Sequence, residues 1–394
     1  MKYEPILSQA IRVDLESGFP EAIDRLAEQV GREQAFLRAA WYRAGADNDG
    51  KTLIARRRDG AVVAAIPHTR IGPQVVGAKG VPGSYWPFRA PLIGDGVTSE
   101  DLVALLADPV ATDALAPMWR IGPIPTDHPS TRVLREAAAQ AGWTVLERDL
   151  GTTWRFDLAA AARDNGGSWP RKSSRKRLNG YLRRLADTGT VHWRAVSGAD
   201  WTPEVLDQLG RVEADSWVGR KTDGSGAKFL DPHQRARWQA VLADPVLAEA
   251  LSATLLLHAD RPVAFSFDLR AGTTQFAIAG SYAEDMAEYR VGKIVTYRQL
   301  EGALAAGVEL VDLGSGDSGY KREMGAGPGP ALIDLLIVRQ REAALVLKQK
   351  WGQEPPELRR LTLASPYRSD LPLPSLRHLA AAAAMAGTAV AITE

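Results

Sequence analysis

The chain has 394 residues, with 48 Lys and Arg against 47 Asp and Glu, a net charge of +1 and 45% hydrophobic residues. This length accommodates two ordinary domains, and the composition is that of a soluble globular protein with no global field to draw nucleic acid or an anionic membrane. The absence of cysteine removes disulfides, thiolate zinc sites and a cysteine nucleophile together.

The opening MKYEPILSQAIRVDLESG is broken by charges and lacks the apolar core of a signal peptide. Residues 11–47 then read as helices, with Ile23, Leu26 and Val30, and afterwards Phe36, Leu37 and Trp41, spaced for one apolar face. Two β-rich runs flank Arg58-Asp59-Gly60, a hairpin signal, and residues 254–270 repeat the pattern as a weak internal repeat. The Gly/Pro-rich stretch 72–97, centred on Tyr85-Trp86-Pro87-Phe88-Arg89, reads as an ordered loop whose aromatics either line a cleft or plug one end of the core. A strand over Trp119–Ile124, a helix over Ser130–Gly142 with Ser130 as its N-cap, and a strand over Thr144–Asp157 complete a first module.

Asn165-Gly166-Gly167-Ser168 breaks the chain, and seven basic residues then fall between Arg171 and Arg184 with no acid before Asp187. Leu178, Tyr181, Leu182 and Leu185 stand at helical spacing, so this segment is an amphipathic helix with one packing face. Its cations are either a solvated face or a contact for phosphates of a cofactor, for tRNA, or for an anionic glycan or lipid. A helix carrying Leu206, Leu209 and Val212 follows and closes at Glu213-Ala214-Asp215-Ser216-Trp217. After it come a loop over Gly219–Gly226, a helix over Pro232–Ala243 and the hairpin at 254–270.

The most informative stretch runs from Thr273 to Lys321. Thr273–Tyr282 alternates as a strand, and a helix begins after Tyr289-Arg290-Val291-Gly292-Lys293, carrying Ile294, Tyr297, Leu300 and Leu304 to a stop at Gly307. Glu309–Leu313 is a short buried strand. The free N–H groups and dipole at the helix start suit an anion such as a pyrophosphate. A late strand over Ala331–Val338 and a helix over Gln340–Trp351 follow. Residues 352–394 read as a Pro/Ala-rich tail, in which the run Leu379–Ile392 falls short of the ~20 apolar residues a spanning helix needs. The expected location is cytoplasmic.

In these residues the chain resembles the GNAT superfamily of acyltransferases, in particular the CelD-like branch associated with bacterial polysaccharide biosynthesis and related to Fem-type peptidyltransferases. Branch members typically carry Tyr-Ser-Pro-Gly-Lys where this chain has Tyr289-Arg290-Val291-Gly292-Lys293. They also carry Asp-Leu-Gly-x-Gly and then Tyr-Lys, where it has Asp312-Leu313-Gly314-Ser315-Gly316 and Tyr320-Lys321. A basic helix and a sequence close to Glu-x-Ser-Trp are also common in the branch. Val291 replaces the usual proline, and Ala283 stands where an aspartate often follows the tyrosine.

The resemblance implies an α/β (α+β) fold of two tandem GNAT-like modules, each a mixed, mostly antiparallel sheet with flanking helices. Residues 1–160 would be a module without a cofactor loop, 161–190 a basic helical connector, 191–351 the acyltransferase module and 352–394 the tail. Acyl-CoA (acetyl-CoA) is the implied co-substrate, held by Tyr289, Arg290, Val291, Gly292 and Lys293. The chemistry needs positioning and oriented dipoles more than covalent help. Glu213 reads as a general base or a helix-surface carboxylate, and Tyr282 as a thiolate proton donor or an edge aromatic. Asp312 ends a buried strand and reads as an acceptor contact or as half of an ion pair with Lys321 or Arg322. Trp217 and Lys321 are candidate acceptor contacts. The histidines (His68, His128, His192, His233, His258 and His378) have no spacing that forms a metal pair, so no metal is expected.

Three functions compete: acyl transfer from acyl-CoA to an amine or hydroxyl of a sugar, amino acid or glycan precursor; Fem-like aminoacyl transfer from aminoacyl-tRNA held by the basic helix; and a non-catalytic binding module. Neither a membrane span nor an oligomeric state is read from the sequence.

Overall fold

The structure is a computed structural model. It describes residues 11–351 apart from 47, 48, 73, 85–87, 223, 225, 317 and 318, with backbone alone at 349 and 350. The tip of the aromatic loop at Tyr85-Trp86-Pro87 and the tail 352–394 lie outside the described residues. Two units separate: described residues up to Gly151 and from Pro330 form unit 1, and Thr152–Gly329 form unit 2.

Unit 1 opens with β1 (Arg12–Ser17), α1 (Ala22–Ala27), α2 (Ala39–Ala44), β2 (Lys51–Arg56) and β3 (Val62–Arg70). Short strands β4 (Lys79–Gly80) and β5 (Leu92–Ile93) precede α3 (Ser99–Ala107), α4 (Pro109–Leu115), β6 (Met118–Pro125), α5 (Pro129–Gln140) and β7 (Thr144–Asp157). Arg12–Ser17 is therefore a strand, not part of a helix. Val13 is its one buried side chain, and its backbone pairs antiparallel with β2. The sheet runs β1-β2-β3-β4-β6 with a single parallel step, β4 to β6. α5 starts one residue earlier than expected, and its N-cap is His128, whose Nδ1 accepts from the Ser130 amide.

Unit 2 continues with α6 (Leu158–Arg163), α7 (Lys172–Ala186), β8 (Val191–Ser197), α8 (Pro203–Asp215), α9 (Trp217–Lys221), α10 (Pro232–Leu242) and α11 (Pro245–Ala250). Then come β9 (Leu251–His258), β10 (Arg261–Ala271), β11 (Thr274–Tyr282), α12 (Val291–Ala305), β12 (Leu310–Ser315), α13 (Tyr320–Met324), β13 (Gly327–Val338) and α14 (Arg341–Trp351). Polar-residue–proline pairs punctuate this region: Thr202, Asp231 and Asp244 each cap a helix whose first residue is proline. α9 occupies part of what the sequence reads as a loop after Trp217.

The unit 2 sheet is antiparallel through β8, β9, β10 and β11, turns parallel once between β11 and β12, and closes antiparallel on the end of β7. Ala259 and Asp260 both have positive φ (48° and 64°), the two-residue turn that matches strand twist. Phe265 and Phe267 project from one face of β10 onto Phe229, Trp201 and Trp238 in edge-on pairs, each worth about 0.5–1.5 kcal/mol beyond area burial. On the other face, α7 lays Leu178, Tyr181, Leu182 and Leu185 against Val291, Ile294 and Val295 of α12.

Each unit is thus a mixed, mostly antiparallel sheet with flanking helices, the expected fold class. The late strand does not stay with the second module: Leu332–Val338 of β13 pairs with β6 in unit 1. A buried cluster in unit 1 rewards this, where Asp334 takes Arg120 (2.7 Å) and Arg148 (2.6 Å). No helix among the described residues is long and apolar enough to cross a membrane.

Candidate functional site

β11 and β12 pair only over Thr274–Phe276 with Leu310–Asp312. Beyond Phe276 they part, while β11 runs on to Tyr282. Among the described residues, the edge of β11 facing β12 therefore has no β12 partner from Ile278 to Tyr282, an edge of the kind that an extended ligand can use. A bulge helps re-aim the strand. Phe267 faces Ala279 and Asp268 faces Ala277, leaving Ile278 as the extra residue.

Beside this opening stands the start of α12. A 3₁₀ turn over Glu284–Tyr289 leads to Arg290, held left-handed (φ 57°, ψ 34°), and Ile294 N–H donates back to Arg290 O at 3.0 Å. The N–H groups of Val291, Gly292 and Lys293 come earlier in the helix than any intrahelical acceptor. No side chain caps them. The Tyr282 ring lies against Gly292, so close that a Cβ there would stand 2.6 Å from Tyr282 Cδ1. Tyr282 itself is 43% exposed.

The charge around this terminus is mostly positive. Lys293 pairs with Glu323 at 2.9 Å, and Lys293, Arg177 and Arg290 together hold the Glu323 carboxyl below its ordinary pKa. α7 runs alongside, with Arg175 on Glu301 (3.3 Å) and Arg184 over the Tyr289 ring (5.8 Å). Arg171, Lys172, Lys176 and Arg177 are exposed.

Asp312 sits where the strands part and is buried. Arg155 lies directly across on β7 and reaches its carboxylate at 3.2 Å, while Gly314 N–H donates to it at 2.8 Å. Burial raises its pKa, and the Gly314 amide and Arg155 pull it back. The ion pair that holds it reaches across to Arg155, a partner beyond the Lys321 or Arg322 that the sequence reading names. Lys321, also buried, donates from Nζ to Gly314 O (3.0 Å) and Ser315 O (2.8 Å). Asp312 and Lys321 therefore grip the same turn, one through its N–H and the other through its carbonyls.

Glu213 is occupied elsewhere. Only 2% exposed, its carboxylate accepts from the amides of Lys228 (2.8 Å), Phe229 (2.7 Å) and Leu230 (2.8 Å). Burial raises its pKa, and these three donors oppose the rise. A carboxylate whose lone pairs are taken by fixed amides holds the segment that delivers Phe229 to the core, an environment unlike that of the helix-surface carboxylate the sequence also allows. Trp217, 58% exposed, opens α9, which packs against β11 and is tied by Lys221–Glu284 (2.9 Å) to the turn after Tyr282.

The structure adds two residues. Asp268 on β10 is 1% exposed, and burial pushes its carboxyl up to about 7. Tyr320 heads α13, and its phenol pKa is raised by burial and then by the Asp268 charge, although 46% of the residue is exposed. The sequence signal for Asp268 was a lone carboxylate inside the apolar run Val263–Leu269. No group of His, Cys, Asp and Glu among the described residues is arranged to hold a metal ion.

Comparison with known proteins places this geometry. Residues 172–322 match a family model described as an acetyltransferase (GNAT) domain. Among solved structures, the chain is similar to FemX at 12% identity, over 85% of this chain and 100% of that one, with a TM-score of 0.54. It is similar to L-PGS from Bacillus licheniformis at 12% identity (90% and 99% covered, TM-score 0.50). A conserved protein of unknown function from Bacteroides thetaiotaomicron gives 14% identity (83% and 100% covered, TM-score 0.52). At such identities the likeness is one of fold alone, and no curated protein sequence matches. Residues 172–322, the stretch that matches the GNAT-domain model, carry the parted strands, the uncapped helix terminus and Tyr320.

Proposed function

We propose that unit 2 transfers an acyl group from acyl-CoA to an amine or hydroxyl of a sugar, amino acid or glycan precursor, as the CelD-like resemblance implies. The observation that carries this reading is the parting of β11 from β12 directly beside an uncapped helix terminus. The residues present fit the donor. Val291, Gly292 and Lys293 offer N–H groups to a pyrophosphate, Arg290 and Arg177 add charge, and the β11 edge from Ile278 to Tyr282 offers backbone groups to an extended amide-bearing arm. When bound, the thioester supplies an activated acyl carbonyl.

The chain's own part is to hold, orient and handle one proton. Tyr320, the half-exposed first residue of α13 after β12, is the hydroxyl proposed to give a proton to the departing atom. Tyr282 is proposed to shape the cofactor loop by covering Gly292. Asp312 and Lys321 fix the turn after β12, and Trp217 offers an exposed aromatic face to the acceptor. Titration calorimetry with CoA tests the reading: a folded protein that binds no CoA overturns it.

A second reading has its own observation. The exposed cations of α7 run alongside α12 and join Arg290 and Lys293 at its start, forming a surface for a polyanion. This favours aminoacyl-tRNA as the donor, as in Fem-type transfer. Under that reading the same cleft receives an aminoacyl ester. Acyl transfer assayed with acetyl-CoA and with charged tRNA separates the two.

A further inference from the structure

Arg261 opens β10, and its guanidinium is forked onto Asp285, with Nη1 on Oδ2 at 2.6 Å and Nη2 on Oδ1 at 3.0 Å. The same Nη2 donates to Asp215 Oδ2 at 2.8 Å. The other oxygen of Asp215 takes Arg220 at 3.2 Å, and Lys221 reaches Glu284 at 2.9 Å. Arg261 thus holds one carboxylate from each of two segments, 215–221 and 284–289, which the Lys221–Glu284 pair joins a second time. The bonds to Asp285 and then Asp215 raise the Arg261 pKa, and Arg261 lowers that of Asp285.

What these contacts join decides their use. Asp215 ends α8. Beside it, Ser216 Oγ donates to Glu213 O at 2.7 Å and accepts the Val218 amide at 3.2 Å, which sets the start of α9 and the 58% exposed Trp217. α9 has five residues, too few to hold itself. On the other side, Glu284 and Asp285 begin the 3₁₀ turn that leads to the left-handed Arg290 and the uncapped amides of α12. An arginine persists in that conformation only when its surroundings hold it. Ala283 N–H on Val263 O at 2.8 Å and the Arg261 fork both tie the turn to β10.

Stability alone gives no reason for this arrangement. Every side chain in it is between 26% and 60% exposed, and ion pairs at such exposure add little to folding. A fork does fix direction, and a guanidinium shared by two carboxylates fixes the distance between them.

We propose that Arg261 is a positioning residue: through Asp215 and Asp285 it sets the register between Trp217, on the acceptor side, and the α12 terminus, on the cofactor side. Each side keeps its own contacts, and Arg261 keeps the two in step. This role rests on the acyl-transfer reading for what the two sides bind, but not for the tie between them.

The tie is tested without any ligand. Time-resolved fluorescence anisotropy of the full chain, compared with its Trp217→Phe counterpart, isolates Trp217 among the 11 tryptophans. Arg261→Gln is expected to enlarge the nanosecond component of the Trp217 decay, as a short segment released from its anchor moves on that timescale. Asp285→Asn should do the same. Arg261→Lys, with one ammonium for two carboxylates, recovers part of the loss. Arg235→Gln is the control: it breaks a pair of similar exposure between α10 and α8, Arg235–Asp207 at 2.6 Å, and should leave Trp217 as it is. An unmoved Trp217 in Arg261→Gln overturns the proposal, and so does an equal change in Arg235→Gln. Should Arg261→Gln fail to fold, Asp285→Asn breaks the fork from its other side and decides the question. In turnover, Arg261→Gln is expected to lower kcat about tenfold while CoA affinity by calorimetry changes less than about threefold, because only relative placement is lost. Asp285→Asn added to it should bring little further loss, since both act through one contact. An unchanged kcat, or an equal loss of kcat and CoA affinity, overturns the positioning role. A Trp217 that loosens in a protein that binds no CoA supports the tie and removes the acyl-transfer reading instead.

Discussion

The ring of Tyr282 occupies the space that a side chain at residue 292 would need: a Cβ on Gly292 would meet Tyr282 Cδ1 at 2.6 Å and two more ring atoms at 3.2 Å. The glycine in the loop therefore answers to a neighbour within the fold as well as to the ligand expected over the helix terminus. The last residue of β11 and the first turn of α12 are locked face to face, which fixes the direction of the α12 amides.

This makes the effect of Gly292→Val specific. The substitution must push the Tyr282 ring aside or move the first turn of α12. CoA affinity is expected to fall at least about tenfold, with the fold retained. Because the obstruction is a side chain, Tyr282→Ala in the same protein should restore part of the affinity. Calorimetry on both proteins decides. Undiminished CoA binding by Gly292→Val would show that the α12 terminus does not hold the cofactor.

Asp312 invites a different experiment. Asp312→Asn keeps an oxygen for the Gly314 amide but leaves Arg155 without its carboxylate. Arg155 is 23% exposed, so solvent softens the loss. A decrease of about 1–3 kcal/mol in unfolding free energy is expected, with kcat/KM down less than about tenfold. Turnover that collapses while stability holds would make Asp312 an acceptor contact instead of a strut for the turn.

What the sequence revealed followed from local pattern. The 254–270 hairpin, the α7 stripe and the strand–loop–helix unit ending at Gly307 are all periodicities read within one or two elements. What it hid depended on long-range pairing. Asp312 meets Arg155 across a separation of 157 residues, and nothing near Asp312 announces that partner. Glu213 looks like a free helix carboxylate until the amides of residues 228–230 fold onto it. Arg12–Ser17 looked helical because a single buried residue, Val13, gives an edge strand almost no alternation to read. The Tyr320-Lys321 pair carries no local sign of a role for Tyr320, since the charge that acts on its phenol, Asp268, lies more than fifty residues away on β10.

The first unit should take no CoA. Its helix α5 also follows a strand, but His128 Nδ1 already accepts the Ser130 amide, Pro129 removes a donor at the first helical position, and Asp127 precedes them. Burial lowers the His128 pKa to about 4, so the imidazole stays neutral and keeps this cap at neutral pH. Calorimetry should give one CoA per chain, and none in a Gly292→Val protein that has lost the unit 2 site. A second equivalent of CoA would locate a site in unit 1.

If α7 receives a nucleic acid, its binding must be steeply salt-dependent, because each neutralised phosphate releases counterions. Replacing Arg171, Lys172, Lys176 and Arg177 together by Gln should reduce the slope of log K against log salt by about 3–4 for tRNA, while CoA affinity falls by less than about tenfold. Fluorescence anisotropy over a salt series measures this. The same slope in the wild-type and substituted proteins would remove α7 from any tRNA contact.

The buried carboxyl of Asp268 also leaves a mark on stability. Its pKa is about 7 in the fold against an ordinary 3.8. Between those values the folded protein holds a proton that the unfolded chain has released, so this group's contribution is fully present below about pH 4 and is lost as pH rises toward 7. Glu213 and Asp312, both raised, act in the same direction, while Asp285 and Glu323, both lowered, act in the opposite one. Comparing two proteins that share those groups cancels them. Urea unfolding of the wild-type and Asp268→Asn proteins at about pH 5 and about pH 8 should show the variant gaining relative to wild type at the higher pH, because it has no carboxyl to ionise in the sheet. A difference between the two proteins that is the same at both pH values would mean that Asp268 is ionised throughout, and that the compensation from Ser266, whose Oγ donates to it at 2.7 Å, is stronger than one hydroxyl suggests.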